Sequence, residues 1–510
     1  MKSTLLRAVL GCLALLGLLG TASLPAAAQT PAGHPNYAAI DSYVSKSLTG
    51  TPGFALSIIH GDQVVHVKGF GVTDANGSPV TADTPFVLGS GAKSFTALGI
   101  MQLKERGALD LDAPIQRYLP WFRVADPNYS RQITIRQLLN QTSGLPDSAP
   151  FETPVTSLQS RVRDLARVKL SAPPGREFEY SNSNYQTLGV VIEAVSGQAY
   201  ADYMQQHVFT PLGMAHSAAS ESEAKRDGLA AAHEWWFGLP VAFDNFRSDF
   251  ISSGFVVSSA ADMGHYLIAQ LNRGRYAGVQ VLSAQGVAEM HRGVADDGPN
   301  GTYGMGWYDS SINGVSVVYH PGDSLTGHTD MILVPSAGWG VELVANASSL
   351  TTNLSPPINA TAKGVISMLM GAAPPFTLSP LAIYVVFDLI LSALIGFQLW
   401  SLVRILRNPV QPARPGVVWI LRRLIAPLAW RLALASAASG VWFVLLAGTF
   451  GASALLLAES DFGTAVIALS GLLLINGGLR TARAYRSMHS RKTVVATASA
   501  APAPLQEAAS

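Results

Sequence analysis

The amino-acid sequence predicts an α+β fold in which helices flank one mixed β-sheet and a helical subdomain is inserted between its strands. Strand-like runs occur near both ends of residues 29–375, and helical stretches dominate between them, so we expect both ends to join one sheet. Long apolar runs then recur after residue 380, which predicts three C-terminal transmembrane helices.

The individual elements follow from local patterns. Tyr37–Leu48 is predicted to be helical. The predicted strands are short runs rich in β-branched and aromatic residues: Phe54–Ile59, Gln63–Phe70, Val315–Tyr319, Met331–Val334 and Val341–Ala345. The first two flank a turn at His60-Gly61-Asp62, which indicates a hairpin.

Composition limits the classes of function. The chain has 510 residues, a formal net charge of +1 and 13% charged residues, against about 25% in ordinary globular proteins. This balance gives no electrostatic case for nucleic-acid binding. Cys12 is the one cysteine and lies in the N-terminal apolar run, so we expect no disulfide, thiolate nucleophile or cysteine metal site in the mature protein.

Residues 1–28 are predicted to be a signal peptide. Lys2 and Arg7 form a basic start, Val9–Leu19 is apolar, and three alanines before Gln29 resemble a cleavage site. The alternative is an uncleaved anchor helix. Either interpretation exports residues 29–375, which we expect to form the catalytic domain.

Residues 376–492 are predicted to form a membrane domain. Its three apolar runs are Leu381–Val403, Leu432–Leu457 and Phe462–Leu479. Arginines follow the first and third runs, whereas Glu459 and Asp461 separate the second from the third. The positive-inside rule then predicts a cytoplasmic C-terminus, with the catalytic domain on the periplasmic side of the inner membrane and lipid as a partner.

Three smaller features belong to the same region. Asp388 lies within the first apolar run, and we expect it near the outer headgroups rather than in a functional intramembrane site. Val417–Trp430 is apolar but contains arginines, which favours an interfacial helix over a fourth span. Residues 493–510 are rich in Ala, Pro and Ser and are predicted to be disordered.

The first candidate catalytic motif is Ser90-Gly91-Ala92-Lys93, at the start of a predicted helix that ends near Arg106. Residues three apart are neighbours on a helix face, so the amine of Lys93 is expected beside the hydroxyl of Ser90. A lysine in a dry cleft can lose its proton and act as the base that a serine nucleophile requires. Ser222-Glu223-Ala224-Lys225 has the same spacing, and we interpret it as a solvated polar segment.

Two further motifs carry candidate site residues. Tyr180-Ser181-Asn182 offers a phenol that could relay protons and an amide that could hold a substrate; the alternative is an ordinary asparagine-rich turn. His320-Pro321-Gly322 ends a predicted strand, where a glycine lets a substrate backbone lie close. His320 could face a substrate carboxylate or assist proton relay, or it could be a surface histidine.

The order and spacing of these motifs resemble the serine β-lactamase and penicillin-binding-protein superfamily, in particular its class C β-lactamase, D-aminopeptidase and esterase branch. The resemblance runs from about Tyr37 to about Ala347. Besides the motifs, it includes several blocks: Phe86–Leu103, Ile133–Leu139, Thr142–Pro146, Tyr180–Tyr185, Pro211–Met214 and Tyr303–Trp307. The layout of one exported domain and three spans also resembles colibactin-type prodrug-activating peptidases.

The resemblance implies a β-lactamase/transpeptidase-like fold and assigns roles to the candidate residues. Ser90 would form an acyl-enzyme, Lys93 and Tyr180 would share the acid and base work, and Asn182 would orient the substrate amide. The backbone N–H groups of Ser90 and residue 323 would form the oxyanion hole. Which of Lys93 and Tyr180 is the base stays open.

This sequence departs from the family pattern at three positions. His320 replaces the usual lysine, which weakens the case for antibiotic hydrolysis, and Pro321 removes an N–H beside the site. Asp323 stands where the family usually has a small residue; facing the cleft, its carboxylate could hold a free ammonium. We therefore list Asn182, His320, Gly322 and Asp323 as candidate substrate-binding residues.

The expected function is hydrolysis of amide or ester bonds in a small molecule or peptide, with D-amino-acid peptides favoured. Prodrug-activating peptidase, esterase, β-lactamase and penicillin-binding protein are the alternatives, and a non-catalytic sensor is a more distant one. We expect no cofactor and no metal. The oligomeric state is left open by the sequence.

Overall fold

The computed structural model describes residues 35–147, 157–236, 238–244, 246–324, 327–348, 357–408 and 460–498, with isolated residues between 420 and 432. The predicted signal peptide, the central part of the membrane domain, including nearly all of the second predicted span and most of Val417–Trp430, and the last twelve residues lie outside them.

Fifteen strands lie in the described part of the chain. They are β1 Gly53–His60, β2 Gln63–Gly71, β3 Pro85–Val87, β4 His233–Trp236, β5 Leu239–Ala242, β6 Val257–Ser259, β7 Arg275–Tyr276, β8 Val279–Gln280, β9 Ala295–Asp296, β10 Thr302–Tyr303, β11 Tyr308–Ile312, β12 Val315–Ser324, β13 Gly327–Val334, β14 Trp339–Ala345 and β15 Ala347–Ser348.

The α-helices described are α1 Tyr37–Ser47, α2 Ala92–Glu105, α3 Pro127–Ser130, α4 Ile135–Leu139, α5 Leu158–Asp164, α6 Asn182–Ser196, α7 Tyr200–Met204, α8 Glu221–Arg226, α9 Ala260–Leu271, α10 Ala284–His291, α11 Pro357–Leu369, α12 Pro380–Arg407 and α13 Ser460–Ala498.

Strands from both ends of residues 29–375 contribute to the main sheet, as predicted. Its eight strands follow the order β2-β1-β14-β13-β12-β11-β10-β9. β1 pairs with β14 along its length, from Phe54 opposite Ala345 to His60 opposite Trp339. The helix α9 packs on one side and α1 with α11 on the other, so β13, which is buried throughout, lies at the centre of the core.

The prediction of a mixed sheet was wrong for this main sheet, because every described pairing within it is antiparallel. The physical reason is that β11 to β14 follow one another through tight connections, which join antiparallel neighbours. Within the described residues, the strands β15 and β4 pair in parallel, and they belong to a separate three-stranded sheet.

The predicted helix after Ser90 is confirmed, with one difference in its first turn. Gly89–Gly91 forms a single 3-10 turn, and α2 continues from Ala92 to Glu105 with twelve of its fourteen residues buried. Gly107, at φ +71°, follows the helix end as predicted. Ser90 is therefore held in a tight turn against the most deeply buried helix of the domain.

One of the three predicted spans coincides with a helix that could cross a membrane. Within the described residues, α12 alone is long and apolar enough to do so. The third predicted span lies inside α13, a 39-residue helix that packs against α12 but does not qualify on the same grounds. Helix α13 also continues to Ala498, beyond residue 493 where disorder was predicted; no proline lies between Ser460 and Pro502 to interrupt the helix.

Candidate active site

Two glycines let the backbone of β12 lie directly against the turn that carries Ser90. A Cβ at Gly89, whose φ is +52°, would lie 2.7 Å from the backbone nitrogen of Asp323. A Cβ at Gly322 would lie 2.1 Å from the carbonyl oxygen of Leu88. Such contacts are too short for any side chain, so both positions require glycine.

The amine of Lys93 lies at the centre of the site. Its side chain is fully buried. Nζ lies 3.0 Å from Ser90 Oγ, 2.7 Å from Asn182 Oδ1 and 2.8 Å from the carbonyl oxygen of Ser253. A charged amine can donate to all three. A neutral amine can donate to the amide and carbonyl oxygens and accept the hydroxyl proton of Ser90. The same arrangement of atoms therefore suits both protonation states.

The environment of Lys93 favours the loss of its proton. Burial lowers the pKa of Lys93 to about 7, and the negative charge of Asp147 opposes part of this effect. Burial in turn raises the pKa of Asp147, which the charge of Lys93 counteracts. At neutral pH a substantial fraction of Lys93 is therefore an uncharged amine beside a serine hydroxyl.

Tyr180 completes the group around the hydroxyl of Ser90. Its ring centroid lies 4.8 Å from Lys93 Nζ. Burial raises the pKa of Tyr180 well above its ordinary value, although its hydrogen bond with Ser90 acts in the opposite direction. The phenol therefore carries its proton at neutral pH and is suited to donating it. The structure brings Ser90, Lys93 and Tyr180 together, although their positions span 90 residues of sequence.

Asn182 begins helix α6 and contacts the site through both ends of its amide. Its Oδ1 accepts a hydrogen bond from Lys93, and its Nδ2 donates to Asp147 Oδ1 at 3.5 Å. This orientation holds the amine of Lys93 toward Ser90. The predicted role of Asn182, to orient a substrate amide, stays a prediction.

His320 lies deeper than the sequence suggested. Its side chain is 1% exposed, Nε2 lies 3.2 Å from Tyr303 Oη and Nδ1 lies 2.6 Å from the carbonyl oxygen of Pro321. Because a carbonyl only accepts, Nδ1 carries the proton and Nε2 accepts from the tyrosine. Burial, with the positive charge of Lys93 second, lowers the pKa of His320 to about 3. A buried neutral imidazole carries no positive charge to attract a substrate carboxylate, and whether His320 assists proton relay stays a prediction.

The edge of β12 beyond Tyr319 is turned toward Ser90. β11 pairs with β12 only as far as Tyr319, whereas β13 pairs with it through Ser324. The segment from His320 to Ser324 therefore has one edge against β13 and the other toward the Gly89–Gly91 turn, which contains Ser90. Gly322 is buried there, and the backbone that lies close to it is that of Leu88. Its predicted role, to let a substrate backbone lie close, stays a prediction.

Asp323 lies at the rim with a partner that the sequence did not reveal. Its side chain is 40% exposed, and Oδ1 accepts hydrogen bonds from His328 Nδ1 at 2.7 Å and Ser348 Oγ at 3.1 Å. Burial alone would lower the pKa of His328, but the charge and hydrogen bond of Asp323 outweigh it and raise that pKa. When His328 carries its second proton, its charge offsets that of the carboxylate, and a substrate ammonium then meets a weaker attraction than an unpaired aspartate provides.

Three contributors to the site were missed by sequence reasoning. Asp147 follows the Thr142–Pro146 block, and its position after that block was the one signal that could have marked it. The carbonyl of Ser253 contacts Lys93, and no local sequence pattern identifies it. The hydroxyl of Tyr303 contacts His320, and its place at the start of the Tyr303–Trp307 block was the signal that could have marked it.

The second serine-x-x-lysine pair shows what the motif looks like outside a site. Ser222 and Lys225 lie on the short surface helix α8, and both are exposed. Lys225 pairs with Glu221 at 2.8 Å and Asp244 at 2.9 Å, and these hydrogen bonds raise its pKa. Its amine stays protonated, as the interpretation of a solvated segment requires.

Comparison with known families decides the relationship of the chain. A sequence model described as Beta-lactamase matches residues 40–357, which is more than half of the chain. The chain belongs to the beta-lactamase family. The match contains all seven candidate site residues and ends before α12. In the described residues, no group of three or more His, Cys, Asp or Glu side chains could hold a metal ion.

Relatives within the beta-lactamase family include penicillin-binding proteins. Penicillin-binding protein 4 of Amycolatopsis lactamdurans is 32% identical over 353 residues, which cover 65% of this chain and 92% of that protein. Protein flp of Staphylococcus aureus strain MW2 is 30% identical over 308 residues, 58% of this chain. The alignment spans 60% of the length of Protein flp.

Solved structures similar to this chain include a penicillin-binding-protein homologue. The octameric penicillin-binding protein homologue from Pyrococcus abyssi has a TM-score of 0.60 and 27% identity, covering 67% of this chain and 79% of that one. FmtA from Staphylococcus aureus has a TM-score of 0.55 and 22% identity, covering 67% and 91% respectively. The predicted β-lactamase/transpeptidase-like fold is thereby confirmed, and the FmtA comparison bears on fold alone.

Proposed function

We propose that the chain is a membrane-anchored, extracytoplasmic serine hydrolase that cleaves amide or ester bonds through an acyl-enzyme on Ser90. The observation that carries this proposal is the buried amine of Lys93, 3.0 Å from Ser90 Oγ and with a pKa near neutrality. A serine hydroxyl becomes a useful nucleophile when such a base is within hydrogen-bond reach. Membership of the beta-lactamase family supports the same reaction class.

Acylation would begin when neutral Lys93 takes the hydroxyl proton and Ser90 Oγ bonds to the substrate carbonyl carbon. The negative charge that develops on the carbonyl oxygen would face the backbone N–H groups of Ser90 and Asp323. Tyr180 would donate its proton to the departing nitrogen or oxygen as the bond to the carbonyl carbon breaks. Lys93 would then return a proton to Tyr180, which leaves both groups in their starting states.

Deacylation would reverse these roles with water as the nucleophile. Water would give a proton to the neutral amine of Lys93 as its oxygen bonds to the acyl carbon. The acyl carbon would then part from Ser90 Oγ, which would recover that proton from Lys93. The products would be a free carboxylic acid and the unmodified serine.

The proposal is tested by labelling and by turnover. We expect a fluorophosphonate to modify Ser90, with the adduct located by mass spectrometry, and Ser90→Ala to abolish labelling. Ser222→Ala is the matched control, because it alters the exposed copy of the motif, and it should label normally. If Ser90 is labelled but no amide or ester of a substrate panel is turned over, the result would favour a sensor. If Ser90→Ala retains both labelling and turnover, the proposal is overturned.

A fluorescent penicillin separates the alternatives within the beta-lactamase family. A stable adduct at Ser90 would favour a penicillin-binding protein, and rapid turnover would favour a β-lactamase. Labelling by fluorophosphonate alone is the result that we expect, because the buried neutral His320 leaves no cation at that position for a β-lactam carboxylate. That result would favour a peptidase or an esterase.

We propose peptides with a D-residue and a free amine as the favoured substrates. Asp323 supports this class, because its carboxylate lies at the rim of the site and is 40% exposed. Asp323→Asn should raise KM for free-amine substrates and leave amine-blocked ones unchanged. Because this carboxylate already accepts a hydrogen bond from His328, we expect a rise in KM of about tenfold at most, equivalent to about 1.4 kcal/mol. Equal effects on both substrate sets would refute the assignment.

A further inference from the structure

We propose that the β4–β5 hairpin inserts its exposed apolar face into the boundary between headgroups and acyl chains of the membrane leaflet next to the catalytic domain. The inference goes beyond hydrolysis and depends on the proposed anchoring of the chain by α12. It assigns a lipid-contacting surface to a part of the beta-lactamase-like domain itself.

The two faces of this hairpin differ in what they contact. Cross-strand pairing aligns Trp236 with Leu239 and Glu234 with Val241, which places these four side chains on one face. On that face Trp236 is 38% exposed, Leu239 68% and Val241 45%. All four residues of β5 are exposed although none is charged. A cluster of exposed large apolar side chains marks a surface that meets a protein or a membrane.

On the opposite face, Trp235 of β4 packs on the candidate membrane helix. The ring of Trp235, which is 1% exposed, stacks on that of Tyr384 with centroids 5.3 Å apart. At the hairpin turn, a Cβ at Gly238 would lie 3.5 Å from Tyr384 Cβ and 3.8 Å from Asp388 Oδ2. The hairpin is therefore fixed to α12 at the level of Tyr384 to Asp388.

That level coincides with the expected edge of the hydrocarbon core. Arg404 and Arg407 lie in the last turn of α12 and mark one side of the membrane. A core about 30 Å thick takes about 20 helical residues at 1.5 Å each. Counting back from Arg404 places the other edge near Tyr384. Tyrosine and tryptophan are the residues enriched at this depth, so the stacked Trp235 and Tyr384 fit the assignment.

The exposed side chains around the contact also suit lipid. On α12 itself, Val385 and Leu389 are 48% and 66% exposed, and just before the helix Phe376 is 71% exposed. These residues lie at the same end of the helix as the hairpin. The hairpin, residues 233–242, contains no lysine or arginine. Its insertion would therefore be driven by apolar contact rather than by attraction to anionic lipid.

The experiment uses the full chain in nanodiscs of phosphatidylcholine. A cysteine at Leu239→Cys carries an environment-sensitive nitrobenzoxadiazole dye, in a Cys12→Ser background that removes the one native cysteine. Val279→Cys is the matched control, because Val279 is 41% exposed on the separate β7–β8 hairpin. We expect blue-shifted emission at position 239 and quenching by lipids spin-labelled near the headgroup, with neither at position 279 and no effect of added salt.

The outcomes separate the inference from the proposals on which it depends. Emission and iodide quenching at position 239 equal to those at 279 would overturn the inference while leaving the anchor intact. Protection from both lipid quenchers and iodide would also overturn it, because protein would then cover the face. Failure of the chain to enter nanodiscs would overturn the anchor as well. Fluorophosphonate labelling of Ser90 in the same samples reports on the hydrolase proposal independently.

Discussion

The protonation state of Lys93 sets the expected pH dependence of acylation. If only the neutral amine accepts the proton of Ser90, the rate follows the neutral fraction. With a pKa of about 7, that fraction is about one eleventh at pH 6 and about ten elevenths at pH 8. The second-order rate constant for labelling by a fluorophosphonate should therefore rise about tenfold over this interval and level off above it.

Lys93→Arg tests the cause of that rise. Arginine keeps its proton at every accessible pH, so it preserves a positive charge but cannot serve as the base. We expect labelling to fall by about 10²–10⁴-fold, the usual contribution of a positioned base. Lys225→Arg makes the same change in the exposed copy of the motif and should leave the rate unchanged. Labelling is measured by fluorescence after gel separation, with Ser90→Ala as background at each pH.

Two results would refute this reasoning. A rate that is flat between pH 6 and pH 8 would mean that the proton is removed by a group other than an amine with a pKa near 7. Retention of the wild-type rate in Lys93→Arg would show that no base is needed at this position. Either result would remove the main support for the acyl-enzyme proposal.

Three further perturbations test the surroundings of the nucleophile. Tyr180→Phe should lower kcat by about 10²-fold or more on amide substrates, whose leaving nitrogen needs a proton, and by less on activated esters; steady-state kinetics on matched pairs would show this. Gly322→Ala should abolish labelling of Ser90, because its Cβ would lie 2.1 Å from the carbonyl oxygen of Leu88, and circular dichroism would check folding. Burial raises the pKa of Glu342 to about 8, so it is protonated at neutral pH. Wild-type stability should fall relative to Glu342→Gln as pH rises from 5 to 8, measured as the difference in Tm.

The sign of the last prediction follows from proton linkage. The folded-state pKa of Glu342 lies above its ordinary value, so between the two values the folded protein binds more protons than the unfolded one. Its contribution to stability is therefore complete at low pH and is lost as pH rises through about 8. Glutamine does not titrate, so above that pH the difference in Tm between the two proteins should stop changing. A constant difference in Tm from pH 5 to pH 8 would contradict this account.

Local sequence spacing was sufficient for the part of the site that lies on one helix. Ser90 and Lys93 are three residues apart, and the geometry of a helical turn brings them together whatever surrounds them. The joining of both ends in one sheet also followed from where the strand-like runs occur. Neither inference required knowledge of which other segments pack nearby.

The remaining features depend on contacts between distant segments. His320 lies in a recognisable motif, yet its low pKa follows from burial, to which Tyr180 and Tyr303 contribute, and from the charge of Lys93. The surroundings of Asp323 likewise depend on a distant segment. The register between β12 and β13 places His328 opposite Asp323, where it hydrogen-bonds to the carboxylate. A sequence pattern identifies residue types, whereas charge state depends on the assembled surroundings.

The burial that activates Lys93 also costs stability. A pKa lowered from 10.5 to about 7 corresponds to roughly 5 kcal/mol at about 1.4 kcal/mol per pH unit, paid as long as the amine is charged in the folded state. Between these values the unfolded chain binds more protons, so stability should rise with pH. Lys225 incurs no such cost, because solvent and two carboxylates surround it. A fold with no use for a neutral amine would gain by exposing Lys93, so its burial against three hydrogen-bond partners supports the proposed role as a base.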